Sequence, residues 1–146
     1  INIHPETNDV MFTFQTDTGT NTSYNQTMTT TFLQTRHTED DTTQSGALTY
    51  TTNRDQSQGT AFQKLNYDLG NGNDECLAGI LHLYDPSNTT FVKNFISRVH
   101  NYGQASEAAD CFVAGYVNTT TALTRVQFKM TDGDIDAGTI KLYGVT

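Results

Sequence analysis

The chain has 146 residues, a formal net charge of −8 and a pI near 4.6, with only 16% of its residues charged. That is the length of one domain able to bury a core, and its 8 Lys and Arg against 16 Asp and Glu argue against nucleic acid and anionic membranes as partners. No apolar run approaches the ~20 residues of a membrane span, and the recurring Phe and Tyr exclude a disordered chain. Threonine and asparagine stand where charge is usual; the first suits a pleated strand and the second a turn. Because the first residue is Ile1, the chain reads as a single domain over 1–146, either whole or as the C-terminal part of a longer protein.

Taken in chain order, the elements are strands. In VMFTFQT, Val10, Phe12 and Phe14 share a face, with Met11, Thr13 and Gln15 opposite. Residues from Asn25 to Arg36 form a threonine-rich strand that places Met28 and Phe32 on one face. Thr38 to Ser45 is a solvated loop, followed by the strand GALTYTT. FQKLNYDL aligns Leu65, Tyr67 and Leu69. CLAGILHLYDP, apolar on both faces, reads as a central strand, with His82 on its less buried side. FVKNFISRV fits strand and helix equally, because Phe91, Phe95 and Val99 satisfy both periods.

GQASEAAD is a polar connection with room for one helical turn, and CFVAGYV and ALTRVQFKM are strands. The chain closes on DAGTIKLYGVT, where Ile140 and Leu142 alternate with Tyr143 and Val145. Such a segment is expected to pair inside a sheet, with Ile140 and Leu142 plugging the core and Gly138 and Gly144 permitting close approach. Thr18-Gly19, Gln58-Gly59, Gly70 to Asn73, Asn118-Thr119 and Asp132-Gly133 mark the turns. Eight or nine strands without a long helix predict an all-β fold. Its form is an antiparallel β-sandwich of jelly-roll type. Cys76 and Cys111 are compatible with one disulfide or with two separate thiols.

The last third carries a resemblance. GYVNTTTALTRVQFKMTDGDIDAGTIKLYGV resembles the C-terminal segment of tailed-bacteriophage virion proteins of the marine and cyanophage type. In that pattern a glycine-aromatic strand and an Asn-Thr turn precede a strand of the form AI-x-x-IQF. A short turn and a closing SGTI-x-LYGI follow. Gly115-Tyr116, Asn118-Thr119, Ala122 to Phe128, Asp132 to Asp136 and Gly138 to Val145 match in that order.

GILHLYDPSN and VMFTFQTDTGTN resemble earlier strands of the same family. The chain departs from the pattern at its ends and in its acidic turn. The resemblance implies a jelly-roll module of a tail fibre, spike or capsid decoration on the outside of the phage particle. It also implies a homotrimer, other virion proteins as neighbours, and a role in structure and host attachment.

Three constellations bear on chemistry. Asp132, Asp134 and Asp136 stand at alternate positions, as ligands of a Ca²⁺ loop do, without the later bidentate Glu of an EF-hand; a solvated acidic turn explains them equally. Tyr24 beside Asn25, and Tyr102 beside Asn101, read as loop aromatics and amides that would stack on and read a host-surface glycan. The competing reading is tyrosines that cap the core edge with their hydroxyls in water. His4, His37, His82 and His100 have no nucleophile motif around them, and the expectation is a protein that is not an enzyme. The alternative function is a secreted carbohydrate-binding module.

Overall fold

FVKNFISRV, whose spacing fits both periods, is a strand in the computed structural model, which describes residues 1–42 and 47–145. Period two wins because its inward positions include Lys93, Ser97 and Asn101 besides Phe95 and Val99, while Phe91 lies outside the strand and exposed. The described residues form ten strands and no helix, one more strand than the upper expectation. They are β1 (Asn2–Pro5), β2 (Phe12–Thr18), β3 (Met28–Thr38), β4 (Thr49–Tyr50), β5 (Gln63–Lys64), β6 (Leu77–Leu83), β7 (Lys93–Gly103), β8 (Glu107–Val117), β9 (Leu123–Met130) and β10 (Ile135–Thr139). Residues 43–45 of the expected loop, Gly46 of the expected GALTYTT strand, and residue 146 lie outside the described residues.

Two antiparallel sheets make a β-sandwich. The larger runs β10-β1-β6-β7-β8-β3-β4 and the smaller β5-β2-β9. Three pairs are nested in sequence: Asn2 opposes Thr139, Phe12 opposes Met130, and Met28 opposes Val117. The core between the sheets joins Phe12 and Phe14 of β2 to Phe32, Phe95, Val99, Cys111 and Val113 of the large sheet. Phe12 stacks on Phe128 at 5.3 Å between ring centroids, an arrangement that adds to simple burial.

Polar side chains close what the small sheet leaves open. The Gln15 Nε2 donates to the carbonyls of Gln26, Thr60 and Ala61 at 3.0, 3.2 and 3.1 Å. Gln63 accepts from the Thr30 hydroxyl at 2.7 Å. Beyond β4 the chain follows β3 irregularly: Thr51 N–H donates to the Phe32 carbonyl, Thr30 N–H to Gln56 and Met28 N–H to Gly59. That protects the β3 edge from pairing with other chains.

Several expectations are corrected. FQKLNYDL is a strand only at Gln63–Lys64, because the Asn66 carboxamide takes the place of a ladder bond by accepting from Phe12 N–H at 2.5 Å. CLAGILHL is not central but third from an edge, and it turns Ile80 and His82 to solvent. GQASEAAD is a tight hairpin turn that continues directly into β8. Cys76 and Cys111 are both free thiols.

The closing segment does not plug the core. β10 stops at Thr139, and beyond it Leu142 is 96% exposed, Val145 95% and Tyr143 74%. The cause is geometric: β10 pairs only with β1, and β1 supplies no residue beyond Ile1 for a longer ladder. The expectation of close approach holds at Gly138, where φ is +139° and a Cβ would lie 2.2 Å from the Asn2 carbonyl oxygen. At Gly144 no heavy atom comes within 4 Å of that position.

Candidate binding surface

Strand register places the exposed side chains of the large sheet in rows. Ile80 opposes Arg98, Arg98 opposes Phe112, Phe112 opposes Leu33, and Leu33 opposes Tyr50. One row thus crosses five strands. A second joins His82, Ile96, Ala114 and Thr31 in the same way. Since neighbouring side chains on one face stand ~5 Å apart across strands, these rows make a continuous surface. Ile80 is 58% and Ile96 51% exposed.

Between the rows lies an open groove of about 440 Å³, lined by Leu33, Ile80, Ile96 and Phe112 with His82 and Arg98 among them. Arg98 lies over the Phe112 ring at 4.9 Å and its Nη2 meets Asp110 at 2.6 Å. The Asp110 hydrogen bond holds the guanidinium above its ordinary pKa. The result is an apolar face with one neutralised ion pair, suited to a flat apolar partner rather than to a polyanion.

The sequence-derived glycan residues are not brought together. Tyr24 and Asn25 precede β3, whose Met28 opposes Val117, and Val117 opposes Lys93. Asn101 and Tyr102 lie at the other end of β7, eight residues and about 26 Å of strand away. Neither of the latter is in a loop. Asn101 is fully buried inside β7, with neither its Nδ2 nor its Oδ1 hydrogen-bonded, and Tyr102 is half-buried.

Tyr24 is half-buried with φ of +46°. It is fixed by Asp17, whose carboxylate accepts from the N–H groups of Tyr24 at 2.9 Å and Thr18 at 2.8 Å and from Gln26 Nε2 at 3.2 Å. Burial opposes the Asp17 charge, but these donors together outweigh it and hold the carboxyl below its usual range. Asn25 is exposed beside it.

The aspartates of the acidic turn also stay apart. The Asp134 backbone bridges to Glu6, its carbonyl accepting from Glu6 N–H at 3.0 Å and its N–H donating to Glu6 Oε2 at 3.2 Å. Asp136 stands on β10, 4.0 Å from His4 Nε2. Asp132 is exposed. Among the described residues no three His, Cys, Asp or Glu side chains converge as a metal site.

Two polar clusters escaped the sequence reading. Arg36 and Arg54 each place a guanidinium carbon 4.5 Å from the Tyr67 ring centroid; Arg36 Nη1 meets Glu107 at 3.2 Å and Arg54 Nη2 meets Asp68 at 2.7 Å. Burial, then the charge of Asp68, pushes the Tyr67 hydroxyl up. With two cations matched by two carboxylates, the cluster clamps the irregular segment after β5 onto the large sheet. Lys93 is fully buried, its Nζ donating to the carbonyls of Phe91 at 2.8 Å and Thr119 at 3.0 Å. Its only sequence signal was a charged residue where a strand turned inward. No protein-family model, curated protein or solved structure matches this chain.

Proposed function

We propose that this chain is a non-enzymatic structural domain of a tailed-bacteriophage particle. It would form part of a tail fibre, spike or capsid decoration on the outer surface of the virion. Its work is rigid display: it assembles as a homotrimer, docks on other virion proteins and contributes to host attachment. The observation that carries the docking role is the exposed apolar face of the seven-stranded sheet, built on strands too well supported by the core to deform. The particle assignment rests on the ordered resemblance of Gly115 to Val145. The nested pairs β1·β10, β2·β9 and β3·β8 support a jelly-roll description, since a long hairpin rolled into two sheets produces them.

Peptide mass spectrometry of purified phage particles from the source of the sequence tests this reading. A copy number that is a multiple of three per particle is expected; absence of the chain from particles rejects it. A second reading, a secreted carbohydrate-binding module, is favoured by Tyr50 and Tyr84, exposed aromatics on the same outer face that could stack on sugar rings. Ca²⁺ is an accessory of either reading and is tested by calcium titration of the Asp132 turn.

A further inference from the structure

β1 pairs with β6 only through Asn2 with Ala78 and Ile3 with Leu77, with one further bond from Gly79 N–H to the Ile1 carbonyl at 3.1 Å. Past that point β6 runs on to Leu83 with β7 on one side and no strand on the other. In an antiparallel strand the N–H and C=O of one residue point to the same side, and residues two apart repeat it. Since Gly79 faces β1, the backbone groups of Leu81 and Leu83 face the opening. Unpaired edge groups beside a core are a template for another strand.

The opening has a second wall. Thr139 of β10 is level with Asn2, and Asn2 with Ala78, so residues 140–145 leave the sheet two strand positions from β6. The gap beside β6 is one strand wide. A chain entering it on the line of β1 would run antiparallel to β6, as β1 itself does. The same molecule carries a segment with the chemistry to fill such a gap: Ile140, Leu142, Tyr143 and Val145, apolar at almost every position, exposed, and belonging to no strand.

We infer that residues 140–145 of one copy of this chain insert as a strand beside β6 of a second copy. The inserted strand bonds to the N–H and C=O groups of Leu81 and Leu83 in the manner of strand addition. By alternation one face of it covers the half-buried Leu81 and Leu83, while the other extends the apolar surface that starts at Ile80. With the facing surface counted, a docked segment removes on the order of 1,000 Å² from water, the size a specific interface requires. The segment's only charge is Lys141, so it brings no acid to a neighbour that carries −8. This deepens, and rests on, the reading that copies of the chain assemble with one another; in a threefold assembly each segment passes to the next copy round the ring.

The test compares three proteins by light scattering on a sizing column and by amide hydrogen exchange: the full chain, a chain ending at Thr139, and full-length Leu142→Asp. The expected result is an oligomer for the full chain and a monomer for both variants. Circular dichroism should be unchanged, because no strand contact inside one copy is lost. Protection of the Leu81 and Leu83 amides should disappear in the variants while that of Ile80 and His82, which bond to β7, persists. A full chain that is monomeric overturns both this inference and the assembly reading. A trimer that survives truncation, or amides of Leu81 and Leu83 that stay protected without residues 140–145, overturns strand insertion and leaves the assembly reading standing. A dimer lost on truncation supports insertion and rejects threefold symmetry.

Discussion

Phe14 of β2 meets Phe95 of β7 edge to face, with ring centroids 4.9 Å apart and planes at 82°. This contact joins the two sheets at their centre, and both rings are buried. Phe95→Ala is therefore expected to lower unfolding free energy by about 3–5 kcal/mol, and Phe14→Ala by a similar amount. A double mutant should cost less than the sum, since each single change already removes the shared aromatic contact. Urea denaturation of the four proteins measures this.

Asp17 organises the turn that carries Tyr24. Its carboxyl has a depressed pKa in the folded state, so its contribution is present above the unfolded value, about 3.9, and is lost as pH falls through the folded one. Acid titration of stability should lose a component below pH ~4 that Asp17→Asn abolishes. At pH 7 that substitution is expected to cost about 1–3 kcal/mol, because a neutral amide accepts fewer of the three donors.

Cys111 behaves in the opposite sense. Burial pushes its thiol up to about 12, above the unfolded value of about 8.5. The unfolded chain then binds fewer protons than the native one between these values, and stability falls as pH rises through that window. A thiol reagent at pH 8 should modify half-buried Cys76 in the native protein and reach Cys111 only after denaturant is added. Equal rates at both positions would contradict the burial argument.

The outer face is predicted to matter for docking and not for stability. Ile80→Asp with Ile96→Asp should change unfolding free energy by less than about 1 kcal/mol, since both side chains already face solvent. The same pair should abolish incorporation into particles when supplied in trans, as read by quantitative peptide counts of purified virions.

The β-class was legible because alternation survives where a strand has one buried face: Phe12, Phe14, Met28 and Phe32 were each placed inward and are buried. It failed where inward positions are polar. Lys93, Ser97 and Asn101 occupy buried places in β7 while Ile96 faces out, so the hydrophobic pattern there was blurred and Asn101 passed for a loop residue. The tail misled for another reason. Residues 140–145 carry a strand's sequence, but its partner is set by how far β1 reaches, which local pattern does not encode. The Arg36–Tyr67–Arg54 cluster joins positions 18 and 13 residues to either side of Tyr67, and nothing in the spacing announces it.

Immunogold electron microscopy of phage particles from the source, with antibody raised against this domain, tests the central claim most directly. Regular labelling at tail, fibre tips or head is the predicted result, and its position assigns the domain to a fibre, spike or decoration. Particles that bind no gold, while the antibody recognises the same chain free in the surrounding medium, would contradict the virion reading and favour a secreted carbohydrate-binding module.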